Sequence, residues 1–579
     1  MSRQSARSIQ RQKPLSNQRS GKLIQDLLSS ALSHHQAGRL ADAEALYRQI
    51  LSLDPRHADS IHLLGMMAFQ SGSFETAADL IGKAIAIDKR NALYHSNLGT
   101  VLHASGKVDE ALASYRRAVS LKPDYADAHS NLGNVLAGRH EIPEAMAHFE
   151  RVLSLNPNHA DAHTNLGAAL AEQYRFAEAI PHYERAITLK PEGAEAYSNL
   201  GNALLGLDKP EDAVLCFVQA IKLKPDYLAA YFNLGNTLQE LEKLDDAIIM
   251  YDRALVIKPG YTQATYGKAM AQLRKGDFPN GWENHEQRWN TLGHTPMRAY
   301  QQAMWSGEKL TAGKVLIWGE QGVGDEIMFA GLLPEVRRRS NACVLDCDAR
   351  LKPLFARSFP EIEVVSGCGP EQAHKPDIAA HLPAGSLPRL FRRSAADFAL
   401  TKSPYLLADQ GKREELRTRY ANGKRLIGLA WYTKNKKTGP RRSIDLPLLA
   451  PLFKHDEISW ISLQYGLVDE LQQQVAAAPA PIHVDPTVDQ LNDMDLFAAQ
   501  IAAMDLVITI DNSTAHLAGA LGVPVWLMLP FAADWRWMTQ REDSPWYPSM
   551  RLFRQPLRGD WRSVVERISR ELRTIGCAT

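Results

Sequence analysis

Cysteine is scarce in this chain: 579 residues hold five, at Cys216, Cys343, Cys347, Cys368 and Cys577. So few, and an odd number, exclude a disulfide framework and point to a reducing compartment, so a cytoplasmic location is expected. Cys343 and Cys347 stand four apart, but no second pair or histidine cluster completes a zinc site. Both are read as small buried apolar residues, and no metal is expected. Long apolar runs are also missing: nothing approaches the ~20 residues of a membrane span. Charge of one sign does not dominate, with 66 Lys and Arg against 65 Asp and Glu. That balance gives no reason to expect nucleic acid or a membrane surface as partner. Acids are absent only locally, from the first 22 residues, which carry Arg3, Arg7, Arg11, Lys13, Arg19 and Lys22. This stretch lacks the apolar core of a secretory signal, so residues 1–23 read as a disordered basic arm, with a targeting peptide as the alternative.

What is abundant is repetition. Asn-Leu-Gly recurs every 34 residues, beginning at Asn97, Asn131, Asn165, Asn199 and Asn233. Twelve residues after each glycine stands alanine (Ala111, Ala145, Ala179, Ala213, Ala247). Four further on is an aromatic (Tyr115, Phe149, Tyr183, Phe217, Tyr251), and eight beyond that a proline (Pro123, Pro157, Pro191, Pro225, Pro259). A fixed period of 34 is the mark of helix-turn-helix units stacked into a solenoid. Glycine and alanine let the two helices approach, the aromatic is expected to fill the gap between neighbouring repeats, and proline ends the second helix. The frame extends back through Gly65 and Ala31. Lys89 replaces proline in the second unit, so that turn is expected to be looser. Forward, Ala269 replaces glycine and Gly281 replaces alanine, then Trp282 and Trp289 suit an atypical cap. Seven repeats and a partial eighth occupy residues 24–295.

This pattern is similar to the tetratricopeptide repeat (TPR) family. In that family the first helix of each unit lines a concave face, which implies that the five asparagines face a groove. A carboxamide donates and accepts at once, so a ladder of them suits the backbone of an extended polypeptide. The O-linked N-acetylglucosamine transferases, which also join such repeats to a glycosyltransferase, have an asparagine ladder of this kind. The competing reading is that the asparagines bond neighbouring helices.

After Thr291 the period vanishes and strands alternate with helices. Strands are expected at 314–319, 342–347, 361–366, 425–431, 458–464, 506–510 and 523–529, with a helix from Glu326 to about Arg338. Two Rossmann-like units, residues 296–403 and 404–579, with a break near 400–424, describe a two-lobed α/β fold with a cleft. Three features carry candidate chemistry. Asp511 to His516 leaves a strand end and enters a helix, where Ser513 or Thr514 can cap, Gly519 and Gly522 allow close packing, and free N–H groups suit a diphosphate; the alternative is that Asp511 is a structural cap and His516 a core histidine. Lys434, Lys436, Lys437, Arg441 and Arg442 could neutralise a pyrophosphate leaving group, Arg442 with Ser443 being the better placed. Gly322-x-Gly324-Asp325 lets the chain pass close to a ligand and could aim Asp325 at an acceptor hydroxyl as general base, or Asp325 could simply cap a helix. Asp346-x-Asp348 and Asp493-x-Asp495 match a metal-dependent pattern that arises easily by chance.

Gly324-Asp325 and Asp511-x-x-x-Ala515-His516-Leu517-Ala518 before Gly522-x-Pro524 resemble the lipopolysaccharide heptosyltransferase family over roughly residues 305–560. The resemblance implies a GT-B fold, Asp325 as catalytic base, and Asp511, Ser513, Thr514 and His516 as the donor loop. The chain departs from the family at Asn512-Ser513 and at Arg442 before Ser443-Ile444, where the family has threonine-glycine and a lysine, which puts a heptose donor in doubt. Joined to repeats, it is similar to bacterial TPR glycosyltransferases, some of which modify flagellins. The expected function is transfer of a sugar from a nucleotide-sugar substrate, without cofactor, to a protein held by the repeats. The alternatives are an adaptor with an inactive α/β half and a nucleotide-sugar epimerase.

Overall fold

The computed structural model describes residues 13–291, 297–367, 377–401, 403–435, 438–465 and 469–576. Lys436, Lys437, Cys368, Cys577, Arg3, Arg7, Arg11 and the expected boundary at 295/296 lie outside them. Two compact units result, Met1–Pro225 and Asp226–Thr579.

The first unit is six helix pairs. Lys13–Gln36 pairs with Leu40–Leu53, Ala58–Gln70 with Phe74–Ile87, and Ala92–Ala104 with Val108–Leu121. Ala126–Gly138 then pairs with Ile142–Leu155, Ala160–Glu172 with Phe176–Leu189, and Ala194–Gly206 with Pro210–Leu223. The first helix begins at Lys13, inside the segment expected to be a disordered arm. Once Ile24, Leu27 and Leu28 pack against the neighbouring helix, each upstream residue adds a hydrogen bond without a new nucleation cost. The repeated glycine is a contact point. A Cβ at Gly99, Gly133, Gly167 or Gly201 would stand 2.6–2.8 Å from the ring of Tyr115, Phe149, Tyr183 or Phe217. The aromatic therefore packs against the glycine of its own repeat, not only between repeats as the spacing suggested. The turn at Lys89 is no looser than the others: Asp88 closes its helix at φ −122°, ψ 92°, as Lys122 does at φ −137°, ψ 89°.

The second unit opens with two more pairs, Leu228–Glu240 with Leu244–Ile257 and Thr262–Lys275 with the short Phe278–His285. Packing thus divides the chain earlier than the sequence period does. Trp282 explains why: its indole N–H donates to the Arg392 carbonyl at 2.8 Å, and its ring meets Trp535 edge-to-face at 5.2 Å.

Eleven strands follow among the described residues, in two wholly parallel sheets. The first contains β1 (Ala303–Met304), β2 (Leu310–Trp318), β3 (Ser340–Cys347), β4 (Glu363–Ser366) and β5 (Ile378–Pro383), in the order β1-β5-β2-β3-β4. The second contains β6 (Arg425–Ala430), β7 (Ile458–Ser462), β8 (Ile482–His483), β9 (Leu506–Ile510), β10 (Val525–Leu529) and β11 (Met550–Arg554), in the order β11-β10-β9-β6-β7-β8. This is the doubly wound 3-2-1-4-5-6 order, and its direction reverses between β6 and β9. The helix expected over 326–338 is two, Val323–Ala330 and Leu333–Arg339, because Pro334 has no N–H to carry one helix through. Cys343 and Cys347 are buried free thiols of β3, and burial raises the pKa of both. No described helix is long and apolar enough to cross a membrane.

Candidate functional site

In a doubly wound sheet, ligands enter beyond the carboxyl ends of the strands at the point where strand order reverses. In the second sheet the chain leaving β6 supplies Trp431 to Asn435 and Thr438 to Ser443 there, and the chain leaving β9 supplies Asp511 to Thr514. The two meet through Arg442, whose guanidinium donates to the Asp511 carboxylate at 3.1 Å and to its backbone carbonyl at 3.2 Å. Ser443 serves the same loop differently, its hydroxyl accepting from the Thr433 N–H at 3.1 Å. Arg441 turns away to Glu240 of the preceding repeat helix at 2.5 Å, and Lys434 is exposed. Of the expected basic residues that are described, Lys434, Arg441 and Arg442, the structure brings Arg442 alone to Asp511.

The helix after β9 runs Ser513–Ala520, and its cap is Asn512, not Ser513 or Thr514 as expected. Asn512 holds the extended conformation that capping needs, and its Oδ1 accepts the Ala515 N–H at 3.2 Å. Capping by Asn512 leaves the two hydroxyls uncommitted to that task. Thr514 is fully buried, and its Oγ1 has no hydrogen-bond partner; nor do Asn512 Nδ2 or Arg442 Nε. Three buried polar atoms without partners, at one helix N-terminus, are costly unless something polar visits them. Burial raises the pKa of Asp511, with Asp534 adding to the rise against the pull of Arg442 and Arg536.

His516 does not join that group. It is 5% exposed, its Nδ1 lies 2.9 Å from the Tyr547 hydroxyl, and its ring stacks on Trp537 at 5.2 Å. Burial pushes its pKa down to about 4, helped by the Arg536 charge, so it is neutral at pH 7. A Cβ at Gly324 would stand 3.1 Å from its ring. Gly324 therefore serves helix-to-helix packing rather than approach to a ligand. Gly322 faces open space. Gly519 and Gly522 pack closely against Tyr547 and Pro404, as expected.

Asp325 lies in the first turn of Val323–Ala330 and makes no cap hydrogen bond. Its carboxylate is ion-paired with Arg536, which also donates to Asp534 at 2.6 Å and lies over Trp535 at 4.4 Å. The segment Asp534-Trp535-Arg536-Trp537 was missed by sequence reasoning. The signal available was two tryptophans flanking an arginine after an acid, just past a buried strand. Glu326 was missed as well: burial raises its carboxyl to about 7, and it accepts the Asp348 N–H at 2.8 Å. The acids of the two Asp-x-Asp tripeptides are taken up structurally, Asp346 by Arg298 at 2.6 Å, Asp348 by Arg350 at 2.8 Å, Asp495 by Arg357, and Asp493 as the cap of Met494–Ala502. No group of three or more potential metal-binding side chains occurs among the described residues.

At the strand ends of the first sheet, the reversal between β2 and β5 is filled from the repeat side. Arg288, fully buried, donates to Glu320 at 2.8 and 2.9 Å, to Ser386 at 2.8 Å and to Glu286 at 2.9 Å. Burial opposes its charge, but Glu320 and Glu286 outweigh that and raise its pKa.

In the repeats, the five asparagines are half-buried on the first helices. Asn97 bonds His62 at 2.9 Å and Asn165 bonds Asn134 at 2.7 Å, each reaching the preceding repeat. Family models described as TPR repeat and Tetratricopeptide repeat match residues 34–98, 99–138, 130–194, 194–227 and 228–261. The chain carries tetratricopeptide repeats. It is 30% identical over 333 residues to Protein FlbA of Caulobacter vibrioides, covering 53% of this chain and 54% of that one. The chain thus spans about half the length of the curated relative it matches. Among solved structures, YrrB, described as a TPR protein with an unusual peptide-binding site, is 28% identical over 33% of this chain and 98% of its own, with a TM-score of 0.29. PilF of Pseudomonas aeruginosa is 22% identical over 34% and 87%, with a TM-score of 0.30.

Proposed function

We propose that the chain is a glycosyltransferase of the two-lobed GT-B type, moving a sugar from a nucleotide-sugar to a protein held by the repeats. The observation that carries this reading is the group at the strand-order reversal of the second sheet. There Arg442, Asn512 and Thr514 present unpartnered buried polar atoms at a helix N-terminus, a setting suited to a diphosphate. Asp325 follows Gly324, which packs on the His516 ring of the same loop, and is paired with Arg536. In the proposed step, Asp325 accepts the proton of the acceptor hydroxyl as that oxygen bonds to the anomeric carbon. The bond from that carbon to the diphosphate breaks, and its electron pair leaves on the nucleotide diphosphate. Arg442 and the helix N-terminus meet the developing charge. No metal is needed in this scheme.

The repeats support a protein acceptor, since such arrays bind extended polypeptides. Ser513 and Thr514 supply hydroxyls to the donor, Asp511 orients Arg442, and Asn131 and Asn199 remain candidates for the acceptor backbone. Asn97 and Asn165 are shared with neighbouring repeats. The test is incubation of the full chain with radiolabelled nucleotide sugars and cell lysate. Label on protein supports transfer, binding without transfer supports an adaptor, and an altered free nucleotide sugar supports an epimerase.

A further inference from the structure

Arg536 is held by carboxylates from two directions. Asp325 comes from the helix after β2, and Asp534 from its own loop at 2.6 Å. The guanidinium also lies close enough to Asp511 for each to act on the other's charge. Trp537, one residue on, stacks on His516, and His516 fills the space over Gly324. The Asp534–Trp537 segment is therefore a bridge between the start of Val323–Ala330 and the loop from Asp511 to His516. Three carboxylates, Asp325, Asp511 and Asp534, share this region with two guanidiniums. Both guanidiniums are committed, Arg442 to Asp511 at 3.1 Å and Arg536 to Asp325. An anion arriving here meets more negative than positive charge. It is held only by drawing a guanidinium away from its carboxylate. Arg442 is tethered by the Asp511 carbonyl and the Thr438 hydroxyl besides the Asp511 carboxylate. Among the described residues, the side chain of Arg536 hydrogen-bonds to carboxylates alone, those of Asp534 and Asp325.

We infer that Arg536 is a positioning residue that couples the diphosphate site to the base: it occupies Asp325 until a diphosphate at 511–514 draws its guanidinium, which frees Asp325 to accept a proton. The inference rests on the donor-site reading above and adds an order of events, in which the base is unmasked by donor and not by acceptor. Coupling of this kind is reciprocal, so Asp325 must in turn weaken anion binding.

The experiment uses the full chain and inorganic pyrophosphate as probe, followed by tryptophan fluorescence and by calorimetry. Four proteins are compared: wild type, Asp325→Asn, Arg536→Gln and the double variant, each checked for an unchanged circular dichroism spectrum. Asp325→Asn keeps shape and removes the competing charge, so pyrophosphate should bind about tenfold tighter or more. In the Arg536→Gln background the same change should give less than about threefold. A fifth protein, Arg536→Lys combined with Asp325→Asn, should regain part of the difference, which a fold defect would not. Unchanged affinity in Asp325→Asn overturns the coupling. So does an equal gain with and without Arg536, which would reduce Asp325 to a distant charge. Failure of all four proteins to bind pyrophosphate overturns the donor site itself, a different result from binding without coupling.

Discussion

Replacing Arg288 by methionine tests how the repeats are joined to the first sheet. Methionine is shorter but close in volume and flexible enough to pack in the same space, so the change removes charge and hydrogen bonds with little loss of volume. Glu320 is then left 1% exposed with the Gly385 N–H, at 2.8 Å, still bonded to it, and Glu286 keeps the Ser386 hydroxyl. Removing one partner of a buried pair costs roughly 3–5 kcal/mol, because the remaining charge is uncompensated. Glu320 can limit the loss by taking a proton, and burial already raises its pKa. We therefore expect about 3 kcal/mol at pH 7, near the lower end of that range. The pH dependence separates this cause from a packing defect. In the variant, Glu320 binds a proton more tightly folded than unfolded, so stability falls as pH rises above the usual carboxylate range. Guanidinium denaturation followed by tryptophan fluorescence should show a larger deficit at pH 8 than at pH 5.5. Trp289, stacked on Arg288 at 4.3 Å, is a local reporter. Adding Glu320→Gln should recover more than half the deficit. A deficit below about 1 kcal/mol, or one that ignores both pH and Glu320→Gln, would refute the argument.

Asp325→Asn should lower transfer by 10²–10⁴-fold in an assay with saturating donor, the range of a general base; near-wild-type turnover would return Asp325 to an ion-pairing role. Arg442→Ala should weaken nucleotide-sugar affinity by about tenfold or more, measured by calorimetry, since a charged contact to phosphate is worth about 1.5–3 kcal/mol. Replacing Asn131 and Asn199 together by alanine should raise the Michaelis constant for a protein acceptor about fivefold or more, at roughly 0.5–1.5 kcal/mol each, with donor hydrolysis unaffected; a lower melting temperature with unchanged acceptor binding would make them structural. The repeats should lose stability in acid. His129 donates from Nε2 to the Pro123 carbonyl at 3.2 Å, so when both rings are neutral its Nδ1 accepts from His148 at 2.9 Å. Burial lowers the pKa of His129, His148 and His182, and His62 falls to about 4. A histidine depressed in the folded state contributes stability that is intact above about pH 6.5 and is lost as pH falls toward its folded value. The urea midpoint of the repeats should therefore drop between pH 7 and 5, and a flat profile would count against these placements.

The repeat half was legible because its information is local and redundant. One glycine meets one aromatic sixteen residues later, and the chain states that rule five times over. In the α/β half, runs such as Leu506–Ile510 announce themselves by continuous burial, and that strand falls where the sequence placed it. β5 and β11 escaped because each mixes apolar with polar residues, as in Ile378–Pro383 with its buried His381 and Met550–Arg554 with two arginines. The C-terminal helix Trp561–Gly576 was missed for another reason. Its core stripe of Trp561, Val564, Val565, Ile568 and Leu572 keeps a regular helical spacing, but few apolar residues stand among many charges, so the segment was passed over although its period was legible.

At the candidate site, what the sequence could name were the residues that chain neighbours explain, and what it could not were the pairings. Asp511 at a strand end and Arg442 in a basic loop are each plausible alone, yet 69 residues separate them, and only the parallel pairing of β6 with β9 brings them to 3.1 Å. Arg536 is a stronger case. Its partner Asp325 lies 211 residues earlier, on the other sheet's first helix, and no spacing rule reaches that far. The same holds for His516. As a sequence feature beside Asp511 it resembles a donor ligand, but a buried ring sandwiched by Trp537 and Gly324 is shut into neutral packing by groups the sequence places elsewhere. Sequence is thus most misleading where a polar residue has two possible environments. The physical test is whether its polar atoms already have partners: Thr514 Oγ1 and Asn512 Nδ2 do not, and the Nδ1 of His516 does.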